Sequence, residues 1–163
     1  QAELGVSKEK AEELFTVYHE RVPFVKTLMN SVSNRAQQRG QIRTLLGRLC
    51  RFHLWEPSRF GVHKALPFEQ ARQEHGAGIR RAYTYKALNK LIQGSAADMT
   101  KKSMLELYKE GIVAHIQVHD ELDISVESDI KAKRIKEIME SAVELEIPSK
   151  VDYEFGKNWG EIK

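Results

Sequence analysis

The residues with the greatest chemical potential fall together in one short run, Gln117-Val118-His119-Asp120-Glu121-Leu122. The run sits inside a longer stretch, Ala114–Val126, in which apolar and polar residues alternate. Ala114, Ile116, Val118, Leu122, Ile124 and Val126 take the even positions, while His115, Gln117, His119, Glu121, Asp123 and Ser125 take the odd ones. A period of two predicts a half-buried strand, or two strands joined in a hairpin. Asp120 breaks the pattern, a carboxylate in the apolar phase between Val118 and Leu122. Near an apolar layer such a group is costly unless it is paired, hydrogen-bonded or bound to metal. A chain reversal at His119–Glu121 would instead put Asp120 at a hairpin tip, within reach of an ion. Aspartate is also a common turn residue. Spacing alone therefore leaves open both a plain turn and a metal-binding carboxylate.

Two further groups could contact a nucleic acid. Lys86, Asn89, Gln93 and Ala97 share one face of a helical pattern. Asn89 and Gln93, at i and i+4, have the right groups to read minor-groove base edges, where acceptors dominate. They equally suit an ordinary polar helix face. Arg43, Arg48, Arg51 and His53 surround Thr44-Leu45-Leu46-Gly47-Arg48. They fit a phosphate-contacting edge as well as a solvated basic edge strand that resists aggregation. His63 and His75 have no cysteine or carboxylate at ligand spacing, so they give little support for zinc.

The elements that must carry these residues can be read from the same pattern. Gln1-Ala2-Glu3-Leu4-Gly5 reads like the tail of a helix closed by glycine. Ser7 is a good N-cap for a helix over about Lys8–His19, with Ala11, Leu14, Phe15 and Tyr18 on one face. Pro23 interrupts, and a second helix ends near Gly40, with Val25, Leu28, Met29, Val32 and Ala36 on its apolar face. Both faces are expected to be core. Gln41–Leu54 predicts a short hairpin turning near Gly47. Glu56–Gly78 is rich in proline and glycine and reads as loop, with a short helical piece over Pro67–Gln73. One long helix is predicted over Ile79–Lys109. Gly94 lies in its interior, at a cost of about 1 kcal/mol relative to Ala, within a small-residue patch that lets another backbone approach. After the Asp120 stretch, Ser128 or Asp129 caps a last helix, and Val151, Tyr153 and Phe155 read as a final strand. Together these predict an α+β fold, long helices packed on a small antiparallel sheet.

Composition bounds the class. The chain has 163 residues, 41% of them hydrophobic, with a net charge of +3. That suits one domain, or part of a larger one. No run of roughly 18 apolar residues is present, so no membrane partner is expected. The single cysteine, Cys50, excludes an internal disulfide. A cytoplasmic protein is expected, in a bacterial or phage-infected cell once the family below is considered. Mild basicity is compatible with nucleic acid.

Three blocks, in order, resemble the C-terminal part of family A DNA polymerases, the group of bacterial DNA polymerase I and many phage replicative enzymes. Thr44-Leu45-Leu46-Gly47-Arg48 is similar to the hairpin after the fingers helices. Asn89-Lys90-Leu91-Ile92-Gln93-Gly94-Ser95-Ala96-Ala97-Asp98 resembles the helix that lies along the primer–template duplex. Gln117-Val118-His119-Asp120-Glu121-Leu122 resembles the third catalytic motif. The second and third blocks are the specific ones. Leu4-Gly5-Val6-Ser7 and Gly156-Lys157-Asn158-Trp159 also fit, so the resemblance covers essentially the whole chain.

The resemblance implies roles. Asp120 would bind catalytic metal, His119 would contact the primer terminus, and Glu121 would lie close to the metals. Asn89 and Gln93 would contact the duplex at the primer end, with Arg48 and Lys86 completing the DNA-binding set. Two Mg²⁺ ions are implied, stabilising the attacking and leaving oxygens of an in-line displacement. The implied partners are primer–template DNA, deoxynucleoside triphosphates and an upstream half of the polymerase, in cis or as a split subunit. Residues from about 1 to 80 would be fingers-associated, and those from about 81 to 163 palm. Departures matter too. The family's other metal-binding aspartate and its triphosphate-gripping helix lie upstream of these residues, so the isolated chain is expected to be inactive or nearly so. Tyr85 stands where bacterial members often carry arginine, which unsettles that template contact. The long Glu56–Gly78 stretch points to a phage-type member.

Two rival readings remain. A non-catalytic duplex-binding module would keep the duplex-facing helix and bind DNA without Mg²⁺. A phosphohydrolase of the His-Asp metal type fits poorly, because its ligands belong on helices and His63, His75 and His115 lack suitable partners.

Overall fold

The computed structural model describes residues 5–162. The chain forms two compact units, Gln1–Ile92 and Gln93–Lys163. The helix tail expected over Gln1–Leu4 lies outside the described residues.

In the first unit, helix α1 spans Lys8–Arg21 and α2 spans Pro23–Arg39. Ser7 caps α1, its side-chain oxygen accepting from the Lys10 backbone N–H at 3.3 Å, which satisfies one of the orphan donors of the first turn. Pro23 starts α2 at a position where its missing N–H costs nothing. Gly40 ends α2 in the left-handed region, φ 67°. β1 (Gln41–Arg43) and β2 (Leu49–Arg51) then pair antiparallel with Ile42 opposite Cys50. Val32 and Ala36 of α2, Ile42 and Phe52 form the buried core here, joined by Ala87. Burying a ring the size of Phe52 contributes on the order of 2–3 kcal/mol.

The α+β architecture holds, with long helices and small antiparallel sheets, but four details differ from expectation. First, Glu56–Gly78 is not mainly loop. β3 (Leu54–Pro57) is flanked by β4 (Leu66–Pro67) and β5 (Ile79–Arg81) in a three-stranded antiparallel sheet, with α3 over Phe68–His75. Strands of two to four residues are too short to show a periodicity, and prolines at their ends hide them further. Second, the long helix starts late. Ile79–Arg81 pairs with β3, and Tyr83 turns through φ 61°. A 3₁₀ turn (Thr84–Lys86) then leads into α4, Ala87–Lys109. Tertiary pairing here overrides local helix propensity. Third, α1 buries no residue: Leu14, Phe15, Val17 and Tyr18 are exposed, as are Phe24, Leu28 and Met29 of α2. These side chains stay between 38% and 67% exposed. Fourth, Val151–Phe155 forms no strand; the Val151 N–H donates to Glu140 Oε1 instead.

In the second unit, β6 (Ile116–Val118) and β7 (Glu121–Asp123) form a hairpin, followed by α5, Asp129–Ser141. Ser128 is the N-cap of α5, accepting from Lys131 N–H. The core is built from Leu107 and Ile112 with Ile135 and Ile138 of α5. Leu122, Ile124 and Val126 pack against it, which fixes the return strand of the hairpin. Leu107 is fully buried; truncation to Ala should cost about 2–5 kcal/mol. Among the described residues, no helix is long and apolar enough to cross a membrane.

Candidate catalytic hairpin and nucleic-acid surface

The β6–β7 hairpin is closed by a two-residue turn. Ile116 pairs with Asp123, Gln117 with Leu122 and Val118 with Glu121, leaving His119 and Asp120 at the tip. The expected reversal therefore occurs, and Asp120 is exposed rather than set against an apolar layer. β6 is solvated on both faces, with Ile116 41% and Val118 37% exposed. The alternation read from the sequence is packed only on the return side, through Leu122.

His119 adopts φ 53°. A positive φ at the first position of a two-residue hairpin turn is normally met by glycine. In a histidine it costs on the order of 1–2 kcal/mol. The turn is braced by Gln117, whose Nε2 donates to the His119 carbonyl at 3.0 Å. His115 N–H donates to the Asp123 carbonyl and extends the ladder. His119, Asp120 and Glu121 are thus consecutive, exposed and held on a strained, hydrogen-bonded turn. Asp120 has no hydrogen-bond or ion-pair partner among the described residues.

The other candidates lie on different elements. Arg48 follows the β1–β2 turn and is exposed. That turn is locked by buried Thr44. Its N–H donates to the Arg48 carbonyl at 2.9 Å, and its hydroxyl accepts from Arg48 N–H at 3.0 Å. Gly47 supplies the left-handed residue, φ 87°, and Arg43 donates to its carbonyl. Asn89 and Gln93 stand one turn apart on α4, both exposed. Lys86 is exposed, and its ammonium lies 5.4 Å from the Tyr83 ring and 5.6 Å from the Tyr85 ring. Sequence reasoning missed this pair of tyrosines around one cation. The only available signal was the Tyr-Thr-Tyr-Lys spacing, because Tyr83 reaches its place through a left-handed backbone. The buried side of α4 is partly polar: Asp98, Thr100 and Ser103 are buried, whereas Ile92 is 54% exposed.

The donor chemistry fits Mg²⁺ in kind. Asp120 offers a hard, exposed carboxylate, and Mg²⁺ is commonly held by one or two carboxylates, with waters and substrate phosphates completing its shell. Among the described residues no group of three or more His, Cys, Asp or Glu side chains is arranged to hold a metal ion.

The family model for DNA polymerase family A matches residues 1–161. The chain belongs to that family. A DNA-directed DNA polymerase of Pseudomonas phage M6 is 36% identical over 151 residues, 93% of this chain and 20% of the phage protein. DNA polymerase I of Bacillus caldotenax is 34% identical over 169 residues, 98% of this chain and 17% of that protein. The chain thus spans about a fifth or less of the length of these relatives. Among solved structures, the POL domain of Pol1 from M. smegmatis, in complex with DNA primer-template and dNTP, superimposes with a TM-score of 0.70 at 27% identity. That match covers 99% of this chain and 27% of the other. For a family A polymerase segment, the geometry sorts the three sequence blocks cleanly. One lies on a glycine turn, one in the first half of α4 with Asn89 and Gln93 exposed, and one on the strained tip of β6–β7.

Proposed function

We propose that these residues form part of the polymerising domain of a template-directed DNA polymerase, one that adds deoxynucleotides to a primer 3′ end. The observation that carries this reading is Asp120, a carboxylate without a partner among the described residues, held at a hairpin tip by a backbone strained at His119. Strain of this kind collects at functional sites. Asp120 would be the metal ligand, with Glu121 beside it and His119 directed to the primer terminus. When bound, two Mg²⁺ ions supply charge stabilisation for the attacking and leaving oxygens. The chain's own contribution is to fix the Asp120 carboxylate in place and leave it open to solvent.

Asn89 and Gln93 would contact the minor groove of the duplex, where amide donors meet acceptors common to all base pairs. Arg48 and Lys86 would add phosphate contacts, a charge term that falls as salt rises. Residues up to about 80 belong with the fingers and the remainder with the palm, and the complete enzyme works in the cytoplasm. Its partners are primer–template DNA, deoxynucleoside triphosphates and the upstream half of the polymerase, which supplies the second metal carboxylate. That the M. smegmatis Pol1 domain is in complex with DNA primer-template and dNTP supports the DNA and nucleotide partners.

A non-catalytic duplex-binding module is the second reading. It is favoured by the absence of a complete metal-ligand cluster among the described residues. Primer extension with Mg²⁺ separates the two, using these residues alone and with the upstream polymerase segment supplied. Extension only with both, and lost in Asp120→Ala, supports the polymerase. Duplex binding without extension in either case, unchanged by Asp120→Ala, supports the module.

A further inference from the structure

The loop between β3 and β4, Ser58–Ala65, carries two side chains that no packing argument explains. Phe60 and Val62 are fully exposed, at 106% and 104%. They are not the ends of a loose segment. Ser58 N–H donates to the Gly78 carbonyl at 2.8 Å and closes the base of the loop. His63 Nε2 lies 3.3 Å from the Arg59 carbonyl, across the tip. Gly61 takes φ 141°, and a Cβ there would meet the His63 ring at 3.0 Å. The turn is thus braced from inside by His63, and Phe60 and Val62 are turned out.

Charge indicates what would cover them. Ser58–Pro67 contains Arg59, His63 and Lys64 and no carboxylate. Neither Arg59 nor Lys64 has an ion-pair partner among the described residues. An aromatic ring set between unpaired cations matches a nucleic-acid strand, with phosphates for the cations and a base face for the ring. A duplex hides its base faces in the stack, so an exposed ring selects unpaired bases. The loop also leaves β3 beside Pro57, paired with Ile79, whereas Ala82 and the 3₁₀ turn into α4 lie at the Leu54 end. Three strand residues, about 10 Å, separate the two ends. That is the length of roughly three stacked nucleotides.

We infer that the Arg59–Lys64 loop is a stacking site for the unpaired template strand ahead of the primer terminus, with Phe60 on a base and Arg59 and Lys64 on flanking phosphates. The inference rests on the polymerase reading above.

The test uses the complete polymerase chain and two synthetic DNAs, a blunt primer–template and one with a 5′ template overhang carrying 2-aminopurine at successive positions. The intact protein should prefer the overhang DNA and change the 2-aminopurine emission at one or two positions. Phe60→Ala should lose that signal and weaken overhang binding by about 5- to 100-fold, with blunt-duplex affinity unchanged; Phe60→Trp should restore both. Arg59→Ala and Lys64→Ala should each lower the salt slope of overhang binding by about 0.7. Equal overhang preference in Phe60→Ala and the intact protein overturns the inference. So does a Phe60→Ala defect confined to self-association in sedimentation, which would assign the loop to a protein contact. Primer extension by the same preparations keeps the two readings apart. Phe60-dependent overhang binding without any Asp120-dependent extension would retain the loop site and remove the polymerase.

Discussion

The molecule contains two small hairpins that solve the same turn problem in opposite ways. The β1–β2 turn, Thr44–Gly47, follows local rules: glycine takes the left-handed position and buried Thr44 satisfies the turn's polar groups. The β6–β7 turn breaks them. Histidine takes the left-handed position, both faces of β6 are wet, and the adjacent aspartate has no partner among the described residues. The first is a turn that stabilises. The second gives up stability to hold a carboxylate in a fixed, open place, the pattern expected where a local rule is sacrificed to function.

The largest effect should come from the rule-breaking turn. In the complete polymerase, Asp120→Ala should lower primer extension on the order of 10²–10³-fold, since a carboxylate in the proposed metal-ligand role would control several kcal/mol of transition-state charge stabilisation. Its folding stability should stay within about 0.5 kcal/mol of the parent, because the side chain is exposed and unpartnered. Extension near the parent rate in single-turnover assays would remove the functional half of the comparison.

Next comes the base of the rule-keeping hairpin. Gly40 precedes β1 in the left-handed region, and a Cβ there would meet Arg81 Cζ at 2.6 Å. Arg81 cannot easily withdraw. Its guanidinium lies 4.5 Å from the centre of the Trp55 ring and donates to the carbonyls of Gln37 and Phe52. Gly40→Ala should therefore cost about 2–3 kcal/mol in urea unfolding. A smaller loss than in Gly47→Ala would show that Arg81 yields freely.

The two turns themselves should respond with opposite sign. Gly47→Ala adds only backbone strain, because no atom lies within 4 Å of the new Cβ; it should destabilise by about 1 kcal/mol. His119→Gly removes strain but loosens the unfolded chain, for a net gain of about 0.5–1 kcal/mol. The same change should slow primer extension, because the turn that fixes Asp120 becomes adaptable. Destabilisation by both substitutions would mean that His119 contributes something its backbone does not reveal.

Those opposite signs also mark the limit of sequence reading. Glycine at 47 announces its turn, because only glycine is at ease with φ 87°. The β6–β7 reversal was legible through Asp120 out of phase, but His119 as the strained residue was not, since nothing local asks histidine to be left-handed. Helices α1, α2 and α5 were legible from their caps, Ser7, Gly40 and Ser128. The three-stranded sheet was not, because Glu56–Arg80 and Trp55–Arg81 are pairings between residues some 25 positions apart, and strands this short carry no period. The seven candidate site residues, Arg48, Lys86, Asn89, Gln93, His119, Asp120 and Glu121, are all exposed. A site built from solvent-facing polar groups leaves little trace in hydrophobic patterning, and only the specific blocks made it visible.

The smallest effect tests whether polar order elsewhere in the second unit is bound to the hairpin. Glu106 on α4 accepts from Lys102 and Lys109, and the Lys102 hydrogen bond, followed by that of Lys109, holds its carboxyl below the usual range. A lowered folded-state value means that this contribution is complete above the unfolded carboxyl pKa, near 4.5, and fades as pH falls through the folded value. Stability of the parent should thus decline below about pH 4.5, and Glu106→Gln should flatten part of that decline by slightly lowering stability at pH 7 and leaving it unchanged in acid. The Glu106 side chain is half-buried beside two exposed or half-exposed lysines, so the difference should be slight and should shrink in high salt. If Asp120→Asn costs as much stability at neutral pH as Glu106→Gln, the β6–β7 turn is held by a polar contact after all, and the contrast between the two hairpins fails on its central point.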